Sequence, residues 1–109
     1  MICIESLEDE EFIPQIELRA RGLTCVCPVN GLTDTFDVTV AYTPMRGRVL
    51  ELGAFRKSLD RYAGRAITHE ALTLEVMQGF VELIQPASLD VATMWAPVEG
   101  VECVVRMVS

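Results

Sequence analysis

The chain has 109 residues, half of them hydrophobic and 23% charged, so it is expected to fold as one domain around a real core. Its net charge of −7 argues against a general nucleic-acid binder, which would carry an excess of Lys and Arg. No apolar run approaches the ~20 residues that span a bilayer, and the acids at 8–11 come too early for a signal peptide, so a cytoplasmic protein without membrane contact is expected.

Glu5, Glu8, Asp9, Glu10 and Glu11 hold five of the sixteen acids, and residues 1–14 read as an acidic, solvated arm ahead of a single domain at 15–109. Residues 15–21 alternate, with Ile16, Leu18 and Ala20 on one face of a half-buried strand. A long loop is predicted from Gly22 to Thr35, followed by a second strand over 36–43. After the turn at 43–47 the period becomes helical. Leu52, Phe55, Leu59 and Tyr62 define a first helix closed by Gly64. Thr68 caps a second, which buries Leu72, Val76, Met77, Phe80, Val81 and Ile84 and stops at Pro86. Two more alternating strands carry Leu89, Val91, Thr93 and Trp95, then Val101, Cys103, Val105 and Met107, with a turn at 97–100. The order strand–strand–helix–helix–strand–strand predicts an α+β layer: a four-stranded antiparallel sheet with two helices on one face. Its bare face and open edges predict a homo-oligomer.

Between residues 46 and 65, Arg46, Arg48, Arg56, Lys57, Arg61 and Arg65 face only Glu51 and Asp60. This basic stripe is either a solvated helix face or a strip for an anionic partner. The four cysteines and the single His69 do not complete a tetrahedral set, and no metal site is expected. Cys27 precedes Pro28 and stands seven residues before Asp34, a thiol with a carboxyl nearby for general acid or base work. Cys25 shares its face in an extended segment and is an equal candidate. The plainer alternative is two small loop residues and a turn Asp. His69-Glu70 opens the second helix, where a carboxylate suits the helix dipole and could also accept the paired N–H donors of a guanine-like edge.

Taken in order, these residues resemble the preQ0 nitrile reductase (QueF) family. Cys27-Pro28-Val29-Asn30-Gly31-Leu32-Thr33-Asp34 is similar to that family's Cys-Pro-x-Thr-Gly-x-x-Asp loop, and Ala41-Tyr42-Thr43-Pro44 to its Tyr-x-Pro strand end. Glu51 matches the Glu that opens its cofactor motif, and His69-Glu70 its His-Glu pair. The resemblance covers roughly residues 15–108 and implies the tunnelling fold, in which several chains assemble into a barrel. It also implies that Cys27 attacks the nitrile carbon of 7-cyano-7-deazaguanine (preQ0) to give a thioimide while Asp34 supplies a proton. Glu70 would hold the guanine-like edge, with His69, Glu51 and Leu52 completing the base pocket.

The reductases bind NADPH through Glu-(Ser/Leu)-Lys-(Ser/Ala)-hydrophobic-Lys-(Leu/Tyr)-aromatic. Here Gly53 replaces the first lysine, Arg56 the second and Ser58 the aromatic. A chain that keeps the loop cysteine and lacks this motif looks like the QueF-like amidinotransferases of archaeosine formation, where ammonia attacks the thioimide of preQ0 already installed in tRNA. That resemblance implies ammonium as co-substrate, no metal or redox cofactor, and tRNA along Arg46, Arg48, Arg56, Lys57, Arg61 and Arg65. The alternatives are an NADPH-dependent nitrile reductase and a non-catalytic tunnelling-fold protein that binds a purine or pterin.

Overall fold

Two eleven-residue strands, β2 (Ile16–Val26) and β3 (Thr33–Thr43), form the hairpin on which the rest is assembled. The computed structural model describes residues 2–5, 12–45 and 47–109. Around the hairpin lie β1 (Cys3–Glu5), β4 (Arg48–Leu50), α1 (Leu52–Asp60), α2 (His69–Ile84), β5 (Ser88–Val98) and β6 (Val101–Val108). The main sheet has the order β2-β3-β5-β6, antiparallel throughout. Helix α1 lies against β2 and α2 against β5 and β6, giving the expected α+β layer. No helix among the described residues is long and apolar enough to cross a membrane.

The alternation read in β2 holds to Ala20 and then reverses. Arg21 and Gly22 together stand opposite the single Asp37, a β-bulge. Gly22 takes φ +68, a left-handed conformation that suits glycine, and its N–H donates to Asp37 Oδ1 at 3.0 Å. The extra residue changes which parity faces the helices. Ile16, Leu18 and Ala20 pack on the core before it, Leu23 and Cys25 after it. Strand pairing therefore continues to Val26 opposite Thr33, and the loop expected from Gly22 to Thr35 shrinks to residues 27–32.

Helix α1 buries Phe55 and Leu59 and ends at Asp60, earlier than the predicted stop at Gly64. The N–H groups of Tyr62 and Ala63 then donate to the carbonyls of Leu59 and Asp60, a tighter turn that carries the Tyr62 ring into the core. Helix α2 starts at the predicted cap, with Thr68 accepting from the Ala71 N–H at 3.2 Å. Its buried stripe is Leu72, Thr73, Val76, Met77, Phe80 and Ile84. Val81, expected on that stripe, is exposed because it lies about 100° from the stripe's centre at helical periodicity. Between β5 and β6, Glu99 and Gly100 both take positive φ, the two-residue turn that matches strand twist.

Part of the expected arm is structured. Cys3–Glu5 pairs with Arg48–Leu50, and the Glu51 N–H donates to the Ile2 carbonyl at 2.9 Å. The acids at 8–11 lie outside the described residues, as does Arg46.

Candidate active site

The bulge turns Cys25 toward the core, and the end of β2 at Val26 leaves Cys27 in the loop beyond it. Cys25 is fully buried, paired in register with Asp34. Burial, reinforced by the Asp34 carboxylate and by Cys27, pushes its thiol up to about 11, so it stays protonated at neutral pH. Cys27 follows at the end of β2 and is only half-buried. Its N–H donates to the Leu32 carbonyl at 2.8 Å, and its carbonyl accepts from the Gly31 N–H at 2.9 Å. Asn30 Oδ1 takes the Leu32 N–H at 2.9 Å, and Gly31 supplies the positive φ that the turn needs. Both backbone groups of Cys27 are thus tied inside its loop.

The start of α2 is fastened beside this loop by the strand end. Val26 donates to the Arg65 carbonyl at 2.9 Å and accepts from the Ile67 N–H at 3.1 Å, in a parallel bridge with Ala66. His69, the first residue of α2, is thereby brought to Asp34, with Nε2 3.4 Å from Asp34 Oδ2. The two side chains are 27% and 15% exposed, open enough for a ligand and shielded enough to strengthen their interaction. The imidazole stacks on Trp95 at 3.7 Å between centroids and 9° between planes, and Trp95 in turn stacks on Phe36 at 4.4 Å. Glu70, one residue on, is exposed in the first helical turn. A thiol, a carboxyl–imidazole pair and a second carboxylate are the groups that addition of sulfur to an electrophilic carbon, with proton delivery to its neighbour, calls for.

The remaining expected site residues lie on α1 and on the chain just before and after it, and several are engaged locally. Glu51 caps the helix, accepting from the N–H groups of Gly53 at 2.9 Å and Ala54 at 2.6 Å. Those bonds hold its carboxyl below the ordinary carboxylate range. A Cβ at Gly53 would stand 3.2 Å from Glu51 Oε1, so the glycine permits this cap. Leu52 is exposed at the first helical position. In the basic stripe, Arg56 bonds Asp60 at 2.9 Å and the Arg21 carbonyl at 2.6 Å. Arg65 makes a two-point contact with Glu75 at 3.0 Å, and the Arg61 and Arg65 guanidiniums lie over the Tyr62 ring. Lys57 is exposed and Arg48 half-buried.

Sequence periodicity does not give Trp95, Thr93 and Thr73 a place here. Trp95 and Thr93 read only as inward strand positions, and Thr73 falls between the apolar residues of its helix. The signal that could have found them is a polar residue on the apolar stripe of α2 facing a threonine on an inward strand position. A cavity of about 450 Å³ opens at the other end of the sheet, among Gln15, Glu17, Thr43, Ser88, Asp90 and Ser109. It is lined by neither a thiol nor an imidazole.

The QueF-like protein family matches residues 34–109. An archaeosine synthase of Pyrobaculum calidifontis is 38% identical over 71 residues, 65% of this chain and 63% of that protein, so the match spans somewhat less than two thirds of the relative. An NADPH-dependent 7-cyano-7-deazaguanine reductase of Aquifex aeolicus is 33% identical over 94 residues, 86% of this chain and 72% of that one. The crystal structure of an archaeosine synthase QueF-Like in the apo form superposes with a TM-score of 0.80 at 35% identity, covering 87% of this chain and 92% of the other.

Proposed function

Because this chain belongs to the QueF-like family, we propose that it is an amidinotransferase, converting the nitrile of preQ0 in tRNA to the amidine of archaeosine with ammonium as nitrogen donor. The Cys27 sulfur attacks the nitrile carbon, one C–N π pair moves to nitrogen, and Asp34 delivers the proton that makes a neutral thioimide. Ammonia then adds to the same carbon and the C–S bond breaks. The thiolate returns to Cys27, the proton lost by the added nitrogen restores the Asp34 carboxyl, and the base has gained one NH₃. Glu70 holds the guanine-like edge through paired N–H donors, and His69 walls the pocket and partners Asp34.

One observation carries this reading over the reductase: the state of residues 51–58. Gly53 has no side chain to offer a cofactor phosphate, and Glu51 is folded onto its own helix. The Arg56 guanidinium is engaged by Asp60 and the Arg21 carbonyl, and Ser58 Oγ donates to the Phe55 carbonyl. The residues present do not fit the NADPH motif of the reductases. Arg48, Lys57 and Arg61, with Arg46, are the cations we assign to the tRNA backbone, while Arg56 and Arg65 are committed to internal partners. Edge strands β2 and β6, the latter with exposed Val101, Val104 and Val108, support assembly of several copies.

A reductase keeps a claim through its 33% identity to the Aquifex aeolicus enzyme. Offering preQ0, as free base and in tRNA, with ammonium and NADPH together separates the readings by product mass. Gain of one ammonia is expected, abolished in Cys27→Ala. Gain of four hydrogens would establish the reductase, and an unchanged base would leave a binding protein.

A further inference from the structure

Two threonines are fully buried in an otherwise apolar core, and both are drawn to His69. Trp95 Nε1–H donates to Thr93 Oγ1 at 2.8 Å. The two threonine oxygens lie 2.7 Å apart, and Thr73 Oγ1 reaches the His69 carbonyl at 2.8 Å. A carbonyl only accepts, so the Thr73 proton goes to His69 and Thr93 must donate to Thr73. The direction is fixed along the whole path, from indole to Thr93, to Thr73, to the His69 carbonyl. The path then closes, because the indole that begins it is the surface on which the His69 ring lies, 3.7 Å between centroids. Ring and backbone of one residue are held by opposite ends of one buried hydrogen-bond chain.

We propose that Trp95, Thr93 and Thr73 are positioning residues that hold the His69 imidazole so that Nε2 faces Asp34, a role that rests on the assignment of Asp34 as proton donor. Packing alone does not explain them. Valine has the shape of threonine and would fill the same space, but it would leave the buried Trp95 N–H without its acceptor. An indole elsewhere in the core also needs a partner for its N–H, but not one that leads back to the residue stacked on its face. Trp95 is itself held from the other side by Phe36, so the imidazole rests on a ring that cannot easily tilt away. The path links α2 to β5, so the His69 position does not depend on the short loop that carries Cys27.

The chain has one histidine and one tryptophan, so each gives a single, assignable signal. The imidazole C–H protons of His69 should be shifted upfield in the NMR spectrum by the indole ring current. The double variant Thr73→Val/Thr93→Val should fold with an unchanged far-UV spectrum and lose at least half of that shift. Thr93→Ser, which keeps the hydroxyl, should retain it. Adduct formation between Cys27 and free preQ0 should slow about tenfold in the double variant and recover in Thr93→Ser. An imidazole signal that does not move in the double variant overturns the clamp, as does a shift lost equally in Thr93→Ser. The NMR arm needs no substrate. A wild-type protein that forms no adduct would therefore refute the assignment of Cys27 and Asp34, while the imidazole shift would still decide for or against the clamp.

Discussion

The rim around Cys27 and the helix α1 both gather ionisable side chains, and they use them in opposite ways. On α1 and the turns that flank it several charges close on neighbours: Glu51 on two N–H groups of the helix's first turn, Arg56 on Asp60, Arg65 on Glu75. Around Cys27 both of its backbone groups are bonded while the residue is only half-buried, Glu70 is exposed, and the Asp34–His69 pair is partly open to solvent. Groups whose bonds are completed internally have little left for a ligand. Groups held rigid by backbone bonds and left open at their tips are prepared for one. The same contrast separates the two cysteines, where Cys25 is shut in the core with its thiol at about 11 and Cys27 lies at the opening.

The largest expected effect tests that last contrast. Cys27→Ala should abolish the preQ0 adduct in intact mass and lower turnover by roughly three orders of magnitude or more. Cys25→Ala should keep both, and iodoacetamide at neutral pH should label Cys27 far faster than Cys25. The reverse pattern would mean that the core cysteine is the nucleophile. A smaller loss, roughly 10²–10⁴-fold in adduct formation, is expected for Asp34→Asn, which keeps the shape and removes the proton donor. An Asp34→Asn variant as fast as the parent would transfer the proton donor's role to another group, His69 first.

Much of this was legible along the chain. The α+β order, the cap at Thr68 and the inward positions of β3 and β5 follow from periodicity because the core-facing positions from Phe36 to Tyr42 and from Leu89 to Trp95 keep one parity without interruption. The second half of β2 was not legible, because Gly22 inserts a residue and the alternation on either side is out of phase. A period of two interrupted once looks like a loop, and so Cys25 and Cys27 seemed to share one. The bulge explains why Cys25 faces the core, and the end of β2 at Val26 explains why Cys27, of the same parity, is only half-buried. Residues 3–5 and 48–50 are too short to show a period, and they pair only across the fold. Among site residues, the structure brings Asp34 and His69, thirty-five positions apart, within 3.4 Å of each other. The polar path through Thr73 and Thr93 joins positions twenty residues apart, beyond the reach of any local pattern.

Glu51 gives the smallest effect and the sharpest use of the comparison, because the resemblance places it in the base pocket while the structure engages it as a helix cap. Its carboxyl is held below the ordinary range by the Gly53 and Ala54 N–H groups, so the folded chain keeps it ionised to lower pH than the unfolded chain does. Stability from the cap is therefore complete above the unfolded value near 4.5 and fades as pH falls through the lower folded value. Glu51→Ala should melt a few degrees below the parent at pH 7, and the gap should narrow in acid as the parent loses its charged cap. Added salt should shrink the gap as well, since the site is open to solvent. The affinity for preQ0 decides the rest. A cap with no second duty leaves it unchanged, whereas weaker binding at undiminished helix content would mean that Glu51 also reaches the base, and α1 would then belong to the site it is here contrasted with.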